Sequence, residues 1–188
     1  FLNDGGYMSI IDDLVSNHGV LRQLFNKSMN DPQTFDEFTR HLVVHHTLEE
    51  KYFYDILQTY PEAEHEALEA VNEHHIIELI IKDSEGFPKE HENFPIKIEG
   101  LGEYTTHHLD EEEADIFPMS QQVMPADDLE TLGKLFVKAK DNALNIRVPE
   151  VPGAIANRAA KSDKSPKAKV AGTGTSTALG LGIGSLKT

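Results

Sequence analysis

The sequence predicts an all-α fold: an up-down-up-down four-helix bundle with an extra C-terminal helix and a disordered tail. Three observations carry that expectation. Apolar residues recur at three- and four-residue steps from Met8 to about Asn145. No strand-like alternation of useful length interrupts them, and proline or glycine punctuates the run between long periodic segments.

The elements follow in order. A first helix is expected from about Ser9 to Met29, broken by Asp31-Pro32. Thr34-Phe35-Asp36-Glu37 fits a capping box opening a second helix, which ends near Tyr60-Pro61. A third runs from about Glu62 to Asp83 and stops before Gly86 and Pro88. A fourth starts near Asn93-Phe94-Pro95, where proline suits the first turn, and ends at Phe117-Pro118. A fifth follows the Pro125 break, from about Asp127 to Asn145, packed outside the bundle or across one end. Residues 8–145 thus read as one domain.

Residues 146–188 change in character. They are rich in proline, glycine, serine, lysine and alanine and hold no aromatic residue, too little apolar surface to offset the entropy of ordering. This reads as a disordered basic tail, with seven basic residues against two acidic ones. The whole chain carries a formal charge of −15, so the body is strongly acidic. An acidic body argues against nucleic-acid binding by the folded part, because phosphate contact needs a basic face. Phe1–Tyr7, ahead of the first patterned segment, read as a non-native lead-in. No run is long and apolar enough to span a bilayer, and no charged-then-apolar leader opens the chain, so no membrane association is expected. The chain has no cysteine, which excludes disulfides, thiolate zinc sites and a cysteine nucleophile and fits a cytoplasmic location.

All ten histidines lie between His18 and His108. On the second helix the core seam reads Phe35, Phe38, Leu42, His45, Glu49, Tyr52, Ile56, an unbroken three-four alternation. His45 and Glu49 occupy places suited to leucine. Burying a carboxylate without a partner is costly, and the usual remedies are a cation or a metal. The fourth helix repeats the pattern: His108-Leu-Asp-Glu-Glu112-Glu113 mirrors His45-His-Thr-Leu-Glu49-Glu50. In each, histidine and the glutamate four residues on share one face. The first and third helices each add one histidine. His18 sits on the seam Ile11, Leu14, Leu21, Phe25. His74 keeps Ala67, Ala70, Ile77 and Ile81 on its seam, whereas the His75 frame would bring in Glu78 and Lys82.

Four histidines and two carboxylates therefore face one axis. Imidazole suits iron, zinc, copper and nickel, and carboxylates suit harder ions and can bridge two of them. Two glutamates bridging a metal pair, with two histidines on each metal, would leave positions for a bridging oxo group, water or dioxygen. A structural zinc site needs only four ligands. His41, His46, His65, His91 and His107 lie off the seams or near helix starts and read as solvated or supporting residues. Glu78 either ligates or pairs with Arg22. Glu113 is the alternative to Glu112 and reads as a solvent-facing or supporting acid, because Glu50 holds the same place in the other half.

From about Met8 to Asn145 the chain resembles the haemerythrin-like family, the HHE cation-binding domain. The resemblance rests on Asn17-His18-Gly-Val-Leu21-Arg22, His45-xxx-Glu49-Glu50, Glu73-His74 and His108-xxx-Glu112-Glu113 with Phe117-Pro118; Asp128-Leu-Glu-Thr-Leu-Gly-Lys is similar to a helix that often follows. It implies a four-helix fold and two non-haem iron ions, with an oxo or hydroxo bridge, held by His18, His45, Glu49, His74, His108 and Glu112. The oxygen-carrying members use five histidines, with His-xxx-His on the third helix and His-xxxx-Asp on the fourth. Here Glu78 falls where the second third-helix histidine would be, and Glu112 stands at i+4. A harder donor set favours ferric iron over simple reversible oxygen carriage. The leading expectation is a protein that binds or senses dioxygen, nitric oxide or iron. The alternatives are a di-iron enzyme acting on peroxide or nitrogen oxides, or an iron–sulfur repair protein, the last disfavoured by the missing cysteine-bearing segment.

Overall fold

The computed structural model describes residues 8–143 of the 188-residue chain. The expected lead-in and the expected disordered tail lie outside the described residues. Within them the fold is all-α, with no strand. Helix α1 is Ile10–Asn30, opened by a capping box. Ser9 Oγ accepts the Asp12 N–H at 3.3 Å, and the Asp12 carboxylate accepts the Ser9 N–H at 3.1 Å. A 3₁₀ turn, Pro32–Thr34, follows under an Asp31 cap.

The capping box expected at Thr34 does not form. Thr34 ends the 3₁₀ turn, and its hydroxyl instead donates back to the Asp31 carbonyl at 2.8 Å. Helix α2 begins at Phe35 and runs to Leu57, interrupted by a widened turn over Glu50–Tyr54 in which the Asp55 N–H reaches the Glu50 carbonyl. The extra residue in that turn accompanies three consecutive fully buried aromatics, Tyr52, Phe53 and Tyr54. Helix α3 is Glu64–Ser84.

Helix α4 begins at Phe94 and carries a second widened turn over Glu112–Ile116. It does not stop at Phe117-Pro118, as the proline suggested, but continues to Val123. The widened turn, where Phe117 N–H donates to the Glu112 carbonyl, places Pro118 in the first turn of the segment that follows. No N–H donor is needed there. Both widened turns start within one residue of a seam glutamate, Glu49 or Glu112. Helix α5 is Ala126–Asp141 and lies against α1 and α2.

The long helices close a ring: α1 packs on α2 and α4, and α3 packs on α4 and α2. Gly102 allows the α1–α4 approach, since a Cβ there would stand 1.9 Å from the Phe25 ring. Gly133 does the same for α5, where a Cβ would meet the Met8 carbonyl oxygen at 2.6 Å.

The apolar core is in two parts. One gathers Ile10, Leu14, Tyr52, Ala70, Ile116 and Phe136, the other Leu21, Phe38, Leu42, Ile77, Ile98 and Leu101. Helices α1 and α3 pass from the first to the second, and α2 and α4 pass back. Each helix crosses a polar layer between the two, at His18, His45–Glu49, His74 and His108–Glu112. The two apolar parts thus seal the layer from above and below.

Candidate metal centre

His18, His45, Glu49, His74, His108 and Glu112 are 0–1% exposed and converge on that layer. Glu49 and Glu112 lie at its middle. Glu112 Oε2 is 3.3 Å from His18 Nε2, and Glu112 Oε1 is 3.2 Å from His108 Nε2. Glu49 Oε2 is 3.2 Å from His45 Nε2 and 3.6 Å from His74 Nε2. Two four-residue groups result, each with donor atoms within 4.8 Å of one another. One is His18, His45, Glu49 and Glu112; the other is His74, His108, Glu49 and Glu112. Both carboxylates belong to both groups.

The outer nitrogens are held from behind. Glu113 Oε1 lies 2.8 Å from His18 Nδ1, Glu50 Oε1 lies 2.9 Å from His74 Nδ1, and Glu73 Oε2 lies 2.7 Å from His108 Nδ1. A carboxylate on Nδ1 fixes the ring and turns Nε2 inward as a donor to a cation. Each supporting acid neighbours a centre residue in sequence: Glu50 follows Glu49, Glu113 follows Glu112, and Glu73 precedes His74. Arg22 holds Glu113 at 2.8 Å and Asp110 at 2.6 Å, so these acids are its partners and, of the two readings of Glu78, pairing with Arg22 is not seen. His75 is exposed while His74 is buried, the frame the α3 seam predicts.

Inside the ring of supports, polar atoms lack partners. His18 Nε2, His74 Nε2, His108 Nε2, both His45 nitrogens, both Glu49 oxygens and Glu112 Oε2 are buried without a hydrogen bond among the described residues. Buried polar atoms are rarely left so, and a cluster of lone-pair donors around one volume fits cations.

The electrostatics of the metal-free centre follow from burial and proximity. Burial pushes Glu49 up to about 8, and the Glu112 carboxylate adds to the rise. Burial also disfavours charge on Glu112, but the facing His108, then His18 and His74, outweigh it and hold that carboxyl below the usual range. Burial opposes charge on His108, yet Glu112 and Glu73 raise it to about 10. Burial pulls His45 down to about 4 and lowers His18. Burial thus favours the neutral form of Glu49, while Glu112 and His108 favour each other's charged form.

Two residues were not among those expected here. Tyr54, fully buried, donates from its hydroxyl to Glu112 Oε1 at 2.6 Å. Tyr54 follows His45 by the same nine residues that separate Phe117 from His108. His46, expected to be a solvated or supporting residue, is not solvated: it is 0% exposed and stacks on His74 with ring centroids 3.8 Å apart. The repeat held the missed signal: the fourth-helix counterpart of His46 is Leu109, a core residue.

A cavity of about 290 Å³ lies against His45, lined by residues of α1, α2 and α5 that include Asn17, Arg40, His41, Leu48, Phe136 and Lys140. It puts charged groups of both signs, Arg40, Lys140 and Asp141, beside the centre.

A family model described as the hemerythrin HHE cation binding domain matches residues 9–120. No curated protein and no solved structure gives a significant match.

Proposed function

This chain belongs to the hemerythrin HHE cation-binding family, and on that premise we propose that it is a non-haem di-iron protein that binds or senses dioxygen, nitric oxide or iron. His18 and His45 would hold one iron, His74 and His108 the other, and Glu49 and Glu112 would bridge them. The observation that carries this reading is that both carboxylates belong to both four-residue groups. A single-ion site has no use for two shared anions, whereas a pair of hard cations needs them. The donor set fits as well: nitrogen and oxygen only, with buried lone pairs that have no other partner.

When bound, the pair would supply electrons and open positions for a small diatomic ligand or peroxide. The chain's own residues do the rest. Glu50, Glu73 and Glu113 orient the rings. The two apolar clusters keep bulk water out of the layer. Arg40, Lys140 and Asp141 line the cavity beside His45 and give its walls charge of both signs.

A second reading, turnover of peroxide or nitrogen oxides, is favoured by Tyr54. Its phenol is a buried proton donor against the centre, and burial, then Glu112, raise it so that it keeps its proton. Elemental analysis of protein from iron-supplied cells tests the metal, with close to two irons per chain expected. Stoichiometric zinc, or no metal, would overturn the proposal. Reversible spectral change with dioxygen or nitric oxide supports binding; sustained loss of added peroxide supports turnover.

A further inference from the structure

His46 has no role among the six residues above, yet it is as buried as any of them. Both its nitrogens are without a hydrogen-bond partner among the described residues. A histidine buried for packing alone ordinarily finds a donor or acceptor for at least one nitrogen. The stack on His74, 3.8 Å between centroids with the planes 9° apart, and the edge contact with His108 at 5.8 Å account for where the ring sits. They leave the nitrogens without hydrogen-bond partners, and because the stacked planes are nearly parallel, one of the two rings must turn for both to donate to one ion. A ring nitrogen of His46 lies within 4.8 Å of ligand nitrogens of His74 and His108, so the three form a cluster of their own.

The internal repeat makes the choice of residue informative. Leu109 holds the matching place on α4 and is fully buried in an apolar cluster. A leucine therefore suits such a place, and a histidine there needs a reason beyond filling space.

We infer that His46 is a further metal ligand, completing the position held by His74 and His108. This rests on the two-metal reading of the centre. That position would then have five protein donors, His46, His74, His108, Glu49 and Glu112, and the His18–His45 position four. The supporting acids are unequal in the same sense: both His74 and His108 have a carboxylate on Nδ1, whereas His45 Nδ1 has no partner among the described residues. The two positions should differ in affinity, with the His46 position the tighter.

The test is metal titration of apo-protein with zinc and, separately, with cobalt(II), whose visible absorption reports coordination. Wild type should take up two ions, one more tightly. His46→Leu borrows the residue of the other half. It should still take up two, with the tighter step weakened by about 10–100-fold or more and the cobalt band altered. Metal-free His46→Leu should melt no lower than wild type, since two unpaired nitrogens are gone, while its metal-induced rise in Tm should shrink. If His46→Leu fails to fold, His46→Gln gives the same readouts. Wild-type affinities and an unchanged cobalt spectrum in either folded variant would overturn the assignment of His46 alone. Fewer than two ions on wild type would overturn the two-metal reading, and this inference with it.

Discussion

Tyr54 Oη and Glu112 Oε1 are 2.6 Å apart, 58 residues distant in sequence, and neither meets solvent. The phenol thus donates a hydrogen bond to a carboxylate that both metal groups share. Tyr54→Phe removes that donor and leaves the oxygen buried. The metal-free protein should lose about 1–3 kcal/mol of stability, measured by chemical denaturation. Metal content should stay at wild type, because no ligand is removed. Loss of metal would show that Tyr54 contributes more than a hydrogen bond.

The six converging residues should separate sharply from their neighbours. His74→Ala is expected to lower iron content or abolish the near-ultraviolet absorption of the iron pair. His75→Ala, at an exposed position, should leave both intact and change stability by less than about 0.5 kcal/mol. Glu112→Ala should be worse than Glu113→Gln. The latter should keep the metal while weakening its affinity by about 10–100-fold, since Glu113 acts by holding His18. Equal losses for His74 and His75 would mean that the α3 frame does not decide the ligand.

The frame itself was legible, because a seam of Ala67, Ala70, Ile77 and Ile81 leaves His74 one orientation. The same holds for His45 and Glu49 on α2, which interrupt an otherwise apolar alternation. The two widened turns were not legible. One extra residue in a helix leaves no mark in composition, and Pro118 read as a stop although the turn before it places it in a fresh first turn. His46 escaped because an ideal seam is narrow, while the burial around the centre reaches the adjacent residue too. The links from Glu73 to His108 and from Glu113 to His18 join different helices, and nothing local in the sequence announces them.

Proton competition sets the pH dependence. Glu49 and His108 are raised, to about 8 and about 10, and each must give up its proton before it can donate to a cation. Metal affinity should therefore rise from pH 6 to pH 9, and loading at pH 7 should release protons, read by calorimetry in buffers of different ionisation heat. The metal-free protein should move the other way. Glu49 contributes stability fully present below its ordinary value of 4.5 and lost as pH rises through about 8. His108 contributes stability present below 6.5 and lost as pH rises through about 10. His45, lowered to about 4, has given its full contribution above 6.5. Between pH 6.5 and 8 the melting temperature without metal should fall while the gap to the metal-loaded protein widens. A gap that narrows over that range would contradict the assignment of Glu49 and His108 as proton-bearing ligands.

The sharing of Glu49 and Glu112 is the central claim, and diffraction from iron-loaded crystals at the iron absorption edge tests it most directly. Expected are two anomalous peaks about 3.5–4 Å apart, one against His18 and His45 and the other against His74 and His108, with both glutamates touching both. A single peak, or two peaks that each keep one glutamate to themselves, would contradict it.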